Sequence, residues 1–206
     1  MDRPPHVFTI GHSTHPIEQF LGLLERHGVT AIADVRSVPG SRWQPQFGRE
    51  PLAHALSSRG ISYVFLGREL GARPDDSNCY MDGRVSYARL AASAPFEQGI
   101  KRIVDGSQRK VIALMCSEAE PLDCHRTILI ARELVDGRVD VDHLLRDGKI
   151  ESHPDAIRRL LRQQKLLQGE FFRSTEEVIV SAYARQEERI AYVDEELVAT
   201  ESQRTS

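Results

Sequence analysis

The chain has no apolar run near the roughly 20 residues that span a bilayer. Its opening residues, Met1-Asp2-Arg3-Pro4-Pro5-His6, lack the apolar stretch of a signal peptide. Three cysteines are too few, and odd in number, for an extracellular disulfide framework, and they fit a reducing compartment. The expected location is therefore the cytoplasm, with no membrane partner. A formal net charge of −3 gives no global attraction to nucleic acid, which stays open as a partner only through a local basic patch. No G-x-x-x-x-G-K-[ST] loop, no G-x-G-x-x-G after the first strand, no G-x-S-x-G elbow and no H-E-x-x-H occurs. These absences argue against P-loop ATP hydrolysis, ordinary NAD redox chemistry and elbow-type serine hydrolysis. No internal repeat or low-complexity tract is present.

What is present is ordinary in bulk and unusual in detail. At 206 residues, 40% hydrophobic and 28% charged, the chain can bury one α/β domain and carry an appendage. Val7-Phe8-Thr9-Ile10 reads as a short strand ending in Gly11-His12-Ser13-Thr14. Ile17, Phe20, Leu21, Leu24 and His27 follow helical spacing, with Pro16 in the first turn and Gly28 as C-cap. Ala31-Ile32-Ala33 runs into Asp34-Val35-Arg36, and a Pro/Gly/Ser loop carries Ser41 and Arg42. Leu52, Ala55 and Leu56 mark a short helix closed by Gly60. Ile61–Leu66 reads as a third strand, followed by Gly67-Arg68-Glu69. Residues 85–105 read as one helical region, Val111–Leu114 as a strand, Thr127–Val135 as a helix and Val139–Leu144 as a last strand before the turn Asp147-Gly148.

This alternation predicts an α/β fold over residues 1–153, a mostly parallel sheet of about five strands with helices on both faces. Residues 154–198 predict a helical C-terminal extension, and residues 199–206 a disordered tail. Ile179, Ala182, Ile190, Val193 and Leu197 form an apolar stripe in the extension. It reads as a helix packed on its own domain, with a homodimer through that helix as the alternative.

The densest chemistry lies in Met115-Cys116-Ser117-Glu118-Ala119-Glu120-Pro121-Leu122-Asp123-Cys124-His125-Arg126. The segment follows one strand and precedes a helix. Asp123 is the expected N-cap, which would put Cys124, His125 and Arg126 in the first helical turn. Right-handed crossovers place the C-terminal ends of parallel strands on one sheet edge, where open α/β folds bind ligands. His12, Ser13, Asp34, Arg36, Glu69, Cys116 and Glu118 all fall at or just beyond such ends, so one shared pocket is expected.

Several of these blocks occur together elsewhere. Ile10-Gly11-His12-Ser13-Thr14, Asp34-Val35-Arg36 with Ser41-Arg42, Gln46-Phe47, Leu70-Gly71 and Cys116-x-Glu118-x-x-Pro121-x-x-Cys124-His125-Arg126 stand in the order of a mainly bacterial family, domain of unknown function 488. The chain resembles that family over roughly residues 7–153, and His143 with Asp147-Gly148 resembles its closing segment. A second glycine of the family pattern is absent at Leu70-Gly71-Ala72. The resemblance implies the α/β fold and the shared site. It carries no reaction with it.

The residues themselves point first to an enzyme, a hydrolase or transferase acting on an anionic, phosphorylated or nucleotide-like substrate. His12 and Glu118 are the expected proton-transfer pair, with Glu69 in reserve, and Cys124 the reactive thiol. Arg36, Arg42 and Arg126 are expected to hold the anion, with Ser13, Asp34 and Cys116 beside them. A non-catalytic anion, nucleotide or nucleic-acid binding module is one alternative. A thiol-redox or metal-binding protein using Cys116 and Cys124 is another. No cofactor is expected, although zinc or iron stays open. The spacing is unlike a short C-x-x-C chelate, and successive helical residues such as Cys124 and His125 would diverge by about 100°. His125 reads equally as pocket-facing or solvent-facing, and Cys79 as incidental.

Overall fold

A computed structural model describes residues 5–40, 42–166 and 174–204. The first apolar run forms β1 (His6–Gly11), and the periodic segment after it forms α1 (Ile17–Arg26). β2 (Ala31–Asp34), α2 (Arg49–Ser57), β3 (Ser62–Phe65) and the short α3 (Gly67–Leu70) follow. A hairpin of β4 (Tyr80–Met81) and β5 (Arg84–Val85) then leads into α4 (Tyr87–Ala91) and α5 (Ala94–Ser107). β6 (Ile112–Cys116), a π-helical turn at Arg126–Ala131 and α6 (Arg132–Asp136) bring the chain to β7 (Asp140–Leu144) and β8 (Ile150–Ser152). Three helices end it: α7 (His153–Gln163), α8 (Thr175–Ile190) and α9 (Glu195–Arg204).

The main sheet has the order β3-β2-β6-β1-β7-β8. Its first five members are parallel, and β8 runs antiparallel to β7 at the edge. Because side chains alternate along a strand, the central strands feed two cores, one on each face. Phe8, Ile10, Ile32, Ala113 and Met115 meet Phe20 and Leu24 of α1 and Leu52 and Leu56 of α2. Val7, Ala31, Ala33, Ile112 and Leu114 meet Phe96 and Ile103 of α5, Leu160 and Leu161 of α7, and Ala182 and Tyr183 of α8. Burying each such large side chain contributes about 1.5–3 kcal/mol, so both faces are committed to helices. No helix among the described residues is long and apolar enough to cross a membrane.

Several local readings change. The helical region at 85–105 is broken, because the Ser93 hydroxyl accepts from Phe96 N and starts α5 with Pro95 in its first turn. β8 and the β4–β5 hairpin add strands too short to show a pattern. The extension packs on its own domain: Val178, Ala182, Tyr183 and Gln186 of α8 are buried, and of the stripe read from the sequence Ala182 is buried while Ile179 and Ile190 pack partly buried against the core. The expected disordered tail is helical in backbone to Arg204, with residues 205 and 206 outside the described set. Ser41 and Leu167 also lie outside it.

The largest local change is at the motif. Pro121–Asp123 is a 3-10 turn whose Glu120 side chain accepts from Leu122 N at 3.0 Å. Cys124 is extended (φ −139°, ψ 141°), and the helix begins only after His125. Asp123 does not cap it. Its carboxylate instead takes Gln186 Nε2 at 3.4 Å and pairs with Arg189, both from α8.

Candidate functional site

The edge of the sheet is built by a close approach of two loops. The pairing of β1 with β6 continues past both strands: His12 N donates to Cys116 O and Ser13 N to Ser117 O, each at 2.9 Å. This draws the 117–119 loop against Gly11, where a Cβ would stand 1.7 Å from Glu118 O. Only glycine allows that contact. Ser13 turns the chain away with φ at 48°, a left-handed conformation uncommon outside glycine. Arg126 holds the loop from behind, Nη1 donating to Glu118 O at 2.9 Å and Nη2 to Ala119 O at 3.4 Å. Its side chain is fully buried and its Nε is unpartnered.

Beside this lies a polar brace. Arg36 donates from Nε to Asp34 Oδ1 at 2.9 Å and from Nη2 to Asp34 Oδ2 at 2.7 Å and Phe47 O at 2.8 Å. Its Nη1 meets His12 Nε2 at 3.2 Å, and Tyr63 OH donates to Asp34 Oδ2 at 2.7 Å. Burial opposes the Arg36 charge, but the bonds and charge of Asp34 outweigh it and raise its pKa. His12 Nδ1 faces Ser13 O at 2.9 Å, and that carbonyl can only accept, so Nδ1 carries the hydrogen and Nε2 accepts from Arg36. The ring stacks on Phe47, with centroids 4.3 Å apart. Burial, and then the Arg36 charge, lower its pKa to about 4 against the pull of Ser13 and Asp34, so it stays neutral. Both nitrogens are in use.

The third part is a thiol cluster. Cys116 ends β6, and the extended Cys124 faces it, both with Sγ near His125 Nδ1 (3.8 and 3.7 Å). Cys124 Sγ also contacts Glu118 Oε2 at 3.0 Å. His125 Nε2 lies 3.1 Å from Val35 O, which fixes the hydrogen on Nε2 and turns Nδ1 toward the sulfurs. The three ligand atoms of Cys116, Cys124 and His125 lie within 4.8 Å of one another, close enough to share a metal ion. The bond to Cys124 and burial push Cys116 well up, whereas for Cys124 the bond to Cys116, the Arg126 charge and His125 overcome burial and hold it well down. Burial and the Cys124 charge raise Glu118.

The cluster opens on a cavity of about 480 Å³ lined by Arg36, Ser37, Arg73, Tyr87, Cys116, Glu118, Cys124 and His125, with Ile190 and Tyr192 from the C-terminal extension. A family model, Domain of unknown function DUF488, matches residues 16–132, more than half the chain. The chain belongs to the DUF488 family. No curated protein and no solved structure matches it. The DUF488 match takes in Asp34, Arg36, Tyr63 and the whole thiol cluster, and it leaves out His12, Ser13 and the extension.

Within this DUF488 site, the expected residues divide. Arg36, Cys116, Glu118 and Cys124 line the cavity. His12, Asp34 and Arg126 share the sheet edge but lie buried beneath it as supports, so the one pocket expected for the residues at the strand ends holds only in part. Ser13 supplies a backbone bond to Ser117. Arg42 stacks over Trp43, its guanidinium carbon 5.3 Å from the ring centroid. Glu69 pairs with Arg102 of α5. Neither lines the cavity. Sequence reasoning missed Tyr63 and Arg73, which carry no motif signal, and left His125 undecided because its direction depends on where the helix starts. It also missed that Gln186 donates to Leu122 O at 2.7 Å and Glu187 accepts from Tyr87 N at 2.8 Å, which fasten α8 over the cluster.

Proposed function

We propose that the protein is an enzyme that hydrolyses, or transfers a group of, a small anionic substrate of phosphorylated or nucleotide-like kind. The observation that carries this is the convergence of two thiols, an imidazole nitrogen and a carboxylate on the floor of a cavity walled by Arg36 and Arg73. Stability alone does not call for that set, since ionisable groups are costly to bury together. Arg73 meets the anion. Its guanidinium lies over the Tyr192 ring, 4.5 Å from the centroid, which orients it at the cavity wall. Arg36 offers the anion its remaining Nη1 hydrogen, its other donors being held by Asp34, Phe47 and His12. Glu118 is the proton-transfer group, because its carboxylate is the one on the cavity floor within reach of the cluster. His12 is a positioning residue for Arg36.

The test is a screen of nucleotides, sugar phosphates and other small anions, read by product formation. Glu118→Gln is expected to cut turnover by about 10²–10⁴-fold while leaving binding largely intact. Arg73→Ala is expected to raise KM. Product formation by the wild-type chain that is unchanged in Glu118→Gln would remove the assigned role, and a screen with substrate bound and no product would favour a binding module.

A further inference from the structure

On the sequence the metal reading ranks behind the others, in part because neighbouring residues of a helix point apart. Cys124 is not helical. Its extended backbone lets its thiol and the imidazole of His125 turn to one point, opposite Cys116 at the end of β6. A tetrahedral ion with bonds of about 2.3 Å to sulfur and 2.0–2.1 Å to nitrogen sets sulfur and nitrogen about 3.6 Å apart. The two Sγ–Nδ1 distances are 3.7 and 3.8 Å. The imidazole is also prepared for the role, since a ligating histidine commonly donates its other N–H to a carbonyl, as His125 does to Val35. All three side chains are buried, with exposures of 4%, 2% and 8% for Cys116, Cys124 and His125.

We propose that Cys116, Cys124 and His125 bind one zinc ion, whose fourth position faces the cavity beside Glu118. Two thiolates and one imidazole with an open position is a ligand set used by catalytic zinc, and thiolates select against magnesium and calcium. The charges also balance. Zinc and the buried Arg126 bring three positive charges, and two thiolates with the Glu118 carboxylate bring three negative ones. For the reaction, this inference rests on the proposed hydrolytic function. A zinc ion held there would supply an acidified water, and Glu118 would take the proton of the water that attacks phosphorus and return it to the departing oxygen. The sum is addition of water across one bond, with no change of oxidation state.

The experiment is metal analysis of the full chain purified without chelator, joined to zinc titration of the chelator-stripped chain and to cobalt(II) substitution. The expected result is about one zinc per chain, retained in Cys79→Ala and bound at least about 10²-fold more weakly in Cys124→Ser and His125→Ala. Cobalt(II) in the wild-type chain should show thiolate-to-cobalt charge transfer, a readout that stands even where a variant fails to fold. A chain that neither carries nor takes up zinc, or one whose cobalt shows no thiolate band, overturns the site. So does zinc retained at full affinity by both variants. Bound zinc with no product in any screen supports the site and defeats the hydrolytic reading. Turnover by a metal-free chain does the reverse.

Discussion

Asp34→Ala is the sharpest probe of how the site is held. The carboxylate is fully buried and accepts from Arg36 Nε, Arg36 Nη2, Arg36 N and Tyr63 OH at 2.9, 2.7, 3.2 and 2.7 Å. Removing it leaves a guanidinium that is 4% exposed without its counter-charge. Breaking one side of a buried pair typically costs about 3–5 kcal/mol, because the remaining charge stays desolvated. The stranded Tyr63 hydroxyl adds about 1–3 kcal/mol, less than additively because both losses share one acceptor. The expected total is about 4–6 kcal/mol, read as a fall in the urea midpoint at unchanged slope. Tyr63→Phe, which keeps the ion pair, should cost only about 1.5–3 kcal/mol. An Asp34→Ala chain that loses less than about 1 kcal/mol would refute the reasoning, since it would mean that water reaches Arg36 as readily as it reaches a surface pair.

Two further outcomes follow from the buried groups. Thr9 Oγ1, His143, His153 and Tyr183 OH form a chain of contacts at 2.8, 3.1 and 2.8 Å between β1 and α8. Burial lowers His153 to about 4, as burial and the Arg36 charge do for His12, and burial and the His153 charge hold His143 well below its usual value. An unfolded chain binds these protons near pH 6.5 and the folded chain does not, so stability is full above that pH and falls as the pH drops toward 4. Each of His12 and His153 can account for at most about 3 kcal/mol over that window. A urea midpoint that is flat from pH 7.5 to 4.5 would show these rings to be solvated. Gly11→Ala places a Cβ 1.7 Å from Glu118 O and should cost at least about 1–3 kcal/mol and displace Glu118. Unchanged stability and turnover in that variant would show that the 117–119 loop moves freely.

The apolar runs at 7–10, 31–33 and 111–114 announced buried parallel strands, because a strand covered on both faces must be apolar throughout. The edge strand β8 is three residues long and is not buried as the central strands are, so no apolar run marks it in the sequence. The shared sheet edge was equally legible, since it follows from crossover handedness once strands alternate with helices. That handedness alone brings Cys116, Glu118 and Arg36 to one region.

The sequence by itself determined the α/β class, the family and the address of the site, because these depend on periodicity and on blocks of adjacent residues. Only the tertiary structure decided which side chains reach the cavity. Asp123 had a good local reason to cap a helix, but α8, more than 60 residues away, claims its carboxylate, and Pro121 starts a 3-10 turn in its place. Cys124 is therefore extended, and its thiol and His125 converge where a helix would have parted them. Likewise His12, a candidate proton carrier by type and position, has both nitrogens taken by Ser13 and Arg36. Those partners are set by packing between β1, β2 and Phe47, a relation between distant segments that no local pattern encodes.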